Sequence, residues 1–390
     1  MSEIRVDTIS EKTSGSGTTV SNLKNPNEPF RNLVVNGDMQ LFQRGTATTT
    51  VVNGSYQTAD RFKFYESTDG AYTSEYDNLS VADQATTGQR AALELNVTTA
   101  DGTIAAAQFA AVYHVLEGKN LQHLLYGTSA AKDLTLSFWV KSNKTGTYCV
   151  ALDKATNTAY RLPIEYTISS ANTWEKKVIH ISPTAGSTSL ITASGAAIDN
   201  DNGTGMIVTF GLAWGSSYQG TNNTWVTGNA YATSNQVNWM DSTDNNFFLT
   251  GVQLEVGSGA SDFEHLPHDV QLRRCQRYFQ LFNDGSYDNE GLFNGTLYTT
   301  STLYGYISLQ TPMRAGPSLY EVTGTDYWVA YTNGSNNTFD DMGINGDASN
   351  TFICEVYVPS SGNLSLGSGG QSAFVRTHNA AARLGADAEL

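Results

Sequence analysis

The ten residues FFLTGVQLEV, Phe247 to Val256, constrain the fold more than any other stretch of the chain. Read at a period of two, Phe248, Thr250, Val252, Leu254 and Val256 share one face. Phe247, Leu249, Gly251, Gln253 and Glu255 share the other. An apolar run of this length ending at Gly257 fits a strand buried in a sheet better than a helix. GSGAS (Gly257 to Ser261) has turn composition, and Pro267 punctuates the chain soon after. Then the period changes. Asp269 can cap a short helix on which Leu272, Cys275 and Phe279 share a face, while Arg273, Arg274 and Arg277 supply charge. From Tyr278 to Phe282 both helix and strand stay open. The stretch closes one unit, crosses a joint and opens another.

Composition extends this reading to the whole chain. Charged residues are 15%, against roughly 25% in an average soluble domain. Polar surface must therefore come from Thr, Ser, Asn and Gly, with 36 glycines among them. That mixture suits short strands and tight turns and is poor for long helices. At 390 residues the chain can bury two or three separate cores. The net charge of −15 repels phosphate backbones and argues against nucleic-acid binding. The three arginines after Pro267 are the one basic cluster, and salt bridging is the expected use of them. Cys149, Cys275 and Cys354 lie far apart and read as buried free thiols, not as disulfides or a zinc site. MSEIRVDTIS has no apolar signal core and no run approaches membrane-spanning length, so the expectation is a protein made and kept in a cytosol.

The expected fold class is all-β, with two jelly-roll-like β-sandwich domains behind an extended N-terminal segment. Residues 1–30 contain an alternating EIRVDTI and a Gly/Ser linker. Residues 31–266 hold strand after strand: NLVVNGDMQLF as strand, turn and strand, then RAALELNV, DLTLSFWVKS, GTYCVALD, TWEKKVIHIS and MIVTFGLAW. AAAQFAAVYHVLEGKNLQHLLYG reads as a strand followed by a short helix. Residues 267–275 form the joint. Residues 276–390 supply a smaller β domain through GTLYTTSTLYGYISLQ, which alternates through Leu303, Gly305 and Ile307, then YWVAYTN, NTFICEVYV and SAFVRTH.

A search for chemistry finds no HExxH, GxSxG, GxxxxGK[ST] or strand-linked GxGxxG. AIDNDNG (Ala197 to Gly203) fails as a calcium loop, because Gly203 falls one place early and Phe210 stands where the bidentate Glu belongs. His265 and His268, spaced i and i+3, read as joint residues and not as metal ligands. No enzyme, cofactor or metal is expected, although carboxylates such as Asp38, Asp60 and Glu255 leave a glycosidase pair open in principle. The informative feature is aromatic. Leu212 to Met240 interleaves Trp214, Tyr218, Trp225, Tyr231 and Trp239 with Gly, Asn, Ser and Thr. Exposed rings can stack on the C–H faces of sugars while polar neighbours meet the hydroxyls. The other use is packing a long loop onto the sandwich or a neighbouring subunit. Tyr327, Trp328 and Tyr331 form a second candidate set. Trp139 and Trp174 lie within strand patterns and read as structural.

LTGVQLEVG…CQRYF, with NLVVNGDMQLFQRGT, TADRFKFY, LQTPMRAGPSL and the terminal ADAEL, resembles the tail-fibre and minor virion structural proteins of tailed bacteriophages. The segments span most of the chain in that family's order. The resemblance implies a non-enzymatic homotrimer in the virion tail, assembled in the host cytoplasm and touching host surface polysaccharide. It implies that residues 1–30, through Ile4, Val6 and Ile9, anchor the protein to other virion tail proteins. Leu272, Cys275 and Phe279 are then expected between subunits. A virion adaptor or decoration protein recruiting another fibre is the first alternative, and a glycan depolymerase is the second.

Overall fold

A computed structural model describes residues 30–365 and 368–390, so the anchor candidates Ile4, Val6 and Ile9 lie outside the described residues. The architecture is all-β. Two six-stranded antiparallel sheets pack face to face. The back sheet runs in the order Thr49–Thr50, Ala71–Asn78, Ala91–Thr99, Asn246–Val256, Leu134–Lys141, Glu175–Ile181. The front sheet runs Val226–Thr227, Tyr160–Ile168, Gly146–Lys154, Thr204–Trp214, Phe109–Glu117, Phe62–Glu66. Alternation directs Leu93, Leu95, Leu136 and Phe138 inward from the back, to meet Val112, Tyr148, Val150 and Phe210 from the front. At the centre Phe138 stands edge-on to Tyr166 and Phe210, with centroids 5.2 and 5.1 Å away.

The founding strand departs from a strict period of two. Thr250 lies opposite Trp139 but Gln253 lies opposite Ser137, so one extra residue is inserted between them. Gly251 takes it up at φ +60°, a conformation that costs glycine little. Phe247 and Leu249 therefore point into the core before the bulge, and Val252 and Leu254 after it. Phe248 faces outward, where Leu79 and Trp174 cover it and the Lys141 ammonium sits 4.2 Å from its ring centre. Trp174 and Trp139 belong to this packed patch.

NLVVNGDMQLF does not form the expected strand pair. Its backbone instead straps across the bulged strand, with Leu33 N donating to Leu254 O at 2.9 Å and Val252 N to Gly37 O at 2.8 Å. Asn36, at φ +60°, donates to Leu41 O and accepts from Leu41 N, replacing ladder bonds with side-chain ones. Any side chain at residue 37 would meet Val252 O at 2.0 Å, so only glycine fits there.

A helix, His268–Gln276, follows Pro267, which stands at the cap without a side-chain bond; Asp269 lies inside the first turn. The chain then enters a three-stranded sheet, ordered Phe279–Asn283, Arg383–Asp387, Ser318–Val322. This packs on a seven-stranded sheet: Ser335–Phe339, Trp328–Thr332, Ser372–Thr377, Gly291–Leu297, Leu303–Ser308, Ile353–Val358, Gly343–Ile344. Phe293, Leu303, Trp328, Val356 and Leu384 fill the space between them.

The expected intersubunit face of the joint is used within the chain. Cys275 is buried against Val35 and Leu41, with Leu272 beside it. Phe279 is 1% exposed, under the Arg44 guanidinium at 3.6 Å and edge-on to Tyr320. The strap and Arg44 already cover the apolar groups that sequence reasoning left for a partner.

Ion pairs and hydrogen bonds tie the second unit to the first sandwich. Glu117 accepts from Arg277 Nε and Nη2 at 2.9 and 2.6 Å and from the Tyr278 hydroxyl at 2.8 Å. Arg61, stacked 3.5 Å over Tyr278, donates to Val115 O and pairs with Glu389. Arg44 pairs with Asp387 at 2.9 Å and with Glu389 at 3.5 Å. In the failed calcium loop, Asn202 exchanges hydrogen bonds with Arg314, donating at 2.6 Å and accepting at 3.0 Å. That loop is part of the docking surface.

Candidate functional site

Of the aromatics singled out in the sequence, Trp214, Tyr218 and Tyr231 come together on the outer side of the front sheet, joined by Phe109 and Tyr113. Trp214 lies between Phe109, 5.2 Å away and 10° from parallel, and Tyr231, 4.9 Å away and 5° from parallel. Both of its faces are thus occupied, and it is only 5% exposed. The half-buried rings around it retain an open side. Tyr231 carries the Arg161 guanidinium at 4.9 Å and donates to Asp153 at 3.3 Å, while Tyr113 contacts Tyr65 at 4.4 Å.

Trp225 and Trp239 are not on the surface. They are 1% and 0% exposed and belong to the main core. Their indole N–H groups donate to Ser182 O at 2.8 Å and Asn246 O at 3.0 Å, and Trp239 packs edge-on to Tyr72. The loop after Trp214 folds back over the sandwich, and these two rings are its plugs. Trp328 is likewise fully buried in the second unit, with its N–H on Thr323 Oγ1. Tyr327 is half-buried against the same core, and Tyr331 is 45% exposed.

Tyr331 leads to a face that sequence reasoning passed over. On the seven-stranded sheet it stands opposite Phe374, which stands opposite Asn294. Thr296 pairs with Tyr304, Tyr304 with Tyr357, and Tyr306 with Glu355. Their alternate neighbours, Leu303, Val356, Phe293, Val375 and Ala330, point into the core, so this set points out. Tyr306, Tyr331 and Phe374 are 55%, 45% and 40% exposed. Five adjacent strands at about 4.8 Å spacing make a platform roughly 19 Å across. Its polar groups are fixed. Glu355 accepts from the Tyr306 hydroxyl at 2.5 Å and from Asn345 at 2.6 Å, and Arg376 donates to Asn336 at 2.9 Å. The signal was present in GTLYTTSTLYGYISLQ, because placing Leu303, Gly305 and Ile307 inward leaves Tyr304 and Tyr306 outward.

Carboxylates named in the sequence have structural partners. Asp60 accepts from Gln43 N and Nε2 at 3.0 and 2.6 Å, Glu255 from Ser261 N and Oγ at 2.7 Å each, and Asp38 from Gln40 and Gln271. Burial pushes Asp38 and Asp60 above the ordinary carboxylate pKa. Among the described residues, no group of three or more His, Cys, Asp or Glu side chains is placed to hold a metal ion. His265 lies edge-on to Phe263. All three cysteines are free and buried.

No protein-family model matches the chain, and no curated protein matches it. Among solved structures, the chain is similar to a candidate sugar-binding protein from Bacteroides thetaiotaomicron VPI-5482. The match has 12% identity and a TM-score of 0.34, over 58% of this chain and 100% of the other. A family 11 carbohydrate-binding module from Clostridium thermocellum, in complex with a β-1,3-1,4-mixed-linked tetrasaccharide, matches at 11% identity and TM-score 0.26. That match covers 57% of this chain and 99% of the module. The enzymatically active domain of bacteriophage CBA120 tailspike protein 4 matches at 12% identity and TM-score 0.28, over 59% of this chain and 22% of that chain. Scores this low carry no argument about function, which rests on the side chains described above.

Proposed function

We propose that the chain is a non-catalytic, glycan-binding structural component of a bacteriophage tail. It contacts host surface polysaccharide through the outer face of the seven-stranded sheet. The observation that carries this reading is the set of outward rings, Tyr306, Tyr331 and Phe374 exposed and Tyr304 and Tyr357 half-buried between them, set beside Asn294, Thr296 and Arg376. Flat aromatic surface beside fixed hydrogen-bonding groups is the chemistry a saccharide chain requires. The half-buried rings Phe109, Tyr113, Tyr218 and Tyr231 on the front sheet are a second contact. The tail-fibre resemblance supports a place in the virion, attachment through residues 1–30 and a homotrimer. The structural roles of Asp38, Asp60 and Glu255 favour binding over hydrolysis.

The test uses immobilised host polysaccharide. Tyr306→Ala and Tyr331→Ala should each weaken binding by about 1–3 kcal/mol, as for bases stacked on aromatics, with the melting temperature unchanged. The polymer should be recovered at its original length. Unaltered binding by both variants, or a shortened polymer, would sink the proposal.

A further inference from the structure

The outward side chains of the seven-stranded sheet follow an order that the sequence scatters. Across neighbouring strands, Trp328–Thr332 presents Tyr331, Ser372–Thr377 presents Phe374, and Gly291–Leu297 presents Asn294 and Thr296. Leu303–Ser308 then presents Tyr304 and Tyr306, and Ile353–Val358 presents Tyr357. The rings thus form two banks, one on each side of a polar strand. Asn294 and Thr296 are exposed, so the strip between the banks is open.

Each bank has one ring laid over a glycine of the adjacent strand. A Cβ at Gly291 would meet the Phe374 ring at 2.6 Å, and one at Gly343 would meet the Tyr357 ring at 2.7 Å. Neither glycine has positive φ, so the rings use the space above it and not a special backbone. Side chains ordinarily stand roughly perpendicular to a sheet, and a ring that leans over bare backbone turns a face toward solvent. Tyr304 stacks on Tyr357 at 5.8 Å, which holds the second bank in place. The seven strands contain one carboxylate, Glu355, and one guanidinium, Arg376. Tyr306 and Asn345 engage the first, and Asn336 the second. On a molecule of net charge −15 this face is neutral, which complements an uncharged partner.

We propose that this face takes a linear, uncharged glycan laid across the strands and read along its length, not at an end. The inference deepens the function proposed above and rests on it. Strands lie about 4.8 Å apart, close to the length of one sugar in an extended chain. The banks are two spacings apart, about 10 Å. One sugar over Asn294 and Thr296 therefore separates a sugar stacked on Phe374 from one stacked on Tyr304 or Tyr306. Roughly three sugars reach both banks, and about five cover the platform. Engaging the second bank is an intramolecular step, so affinity rises with length and then levels off.

The probes are the host polysaccharide, intact, and its partial acid hydrolysate sorted by length, each titrated into the full chain by calorimetry. Five-sugar fragments should bind about tenfold or more tighter than two-sugar fragments, with little further gain beyond. Salt should not change the affinity. The gain with length should vanish in Tyr306→Ala, which separates this face from the front sheet. Gly343→Ala keeps every ring but lifts Tyr357, and should weaken five-sugar binding about threefold or more at an unchanged melting temperature. If the intact polymer does not bind, the proposed function fails and this inference with it. If the polymer binds but two-sugar fragments match five-sugar ones, or Tyr306→Ala keeps the gain, the crossing of the strands is overturned. Binding that weakens with salt would overturn the uncharged assignment, and parent-like binding by Gly343→Ala the laid-over ring. Dimers that vanish in Tyr306→Ala would make a second copy the occupant and overturn the proposal.

Discussion

Glu389→Ala should loosen the second unit from the first sandwich. The Glu389 side chain is 5% exposed and lies between Arg61 and Arg44, which are 1% and 2% exposed. Removing one member of a buried pair typically costs about 3–5 kcal/mol, because the other charge stays buried without its partner. Arg44 keeps Asp387, and Arg61 keeps Val115 O and the Tyr278 ring, so the lower end, about 3 kcal/mol, is expected. That corresponds to a hundredfold or greater rise in the local opening constant, roughly. Native-state hydrogen exchange should show it at the amides of Phe279–Asn283 and Arg383–Asp387, with the front sheet unaffected. Adding Arg61→Met to Glu389→Ala should cost less than the two changes summed, since they remove one interaction. If Glu389→Ala leaves those amides as protected as in the parent, the ion-pair network does not hold the joint.

Further outcomes follow from burial and charge. Trp239→Ala and Trp225→Ala should each destabilise the first sandwich by about 3–5 kcal/mol, seen as a drop in its melting temperature and not as a selective loss of glycan binding. In the second unit, burial, then a hydrogen bond to Asp341 and its charge, push the Glu321 carboxyl up to about 8. A raised acid favours the folded state below its unfolded value, so stability should fall as pH rises from about 4.5 to about 8. Glu321→Gln should flatten that dependence in a melting series. His114 carries the opposite sign. Burial, then Arg61, pulls it down to about 3, so stability should fall as pH drops from about 6.5 toward 3, and His114→Gln should reduce the slope.

The strands were legible where large apolar residues alternate with small or polar ones, so that one face is marked for the core. RAALELNV and DLTLSFWVKS sit where their alternation places them, as Ala91–Thr99 and Leu134–Lys141. The founding strand was legible as an element but not in its facing, because a glycine at positive φ resets the alternation without altering composition. NLVVNGDMQLF misled for a related reason. Asn36 supplies to Leu41 the hydrogen bonds that a sheet neighbour would otherwise give, and composition does not distinguish the two. For the site, a polar loop around tryptophans read as exposure, yet Trp225 and Trp239 each satisfy one N–H on a backbone carbonyl and bury the rest. The tyrosines of the seven-stranded sheet were hidden in plain alternation. Their partners come from strands far apart in the chain, and only the register gathers them.

The strand Arg383–Asp387 lies in the middle of its three-stranded sheet, and the residues after it reach back to Arg44 and Arg61 across separations of 345 and 328 residues. On a translating ribosome those two arginines emerge long before their carboxylates exist. The first sandwich, whose last strand ends at Val256, can close while both guanidiniums still face water. A ribosome that stalls or shifts frame before residue 383 therefore releases a chain with a finished first sandwich, a split second sheet and two unmatched cations on its flank. Docking of the two units is then a readout that synthesis has passed residue 389, available to whatever assembles the protein before any further contact is made.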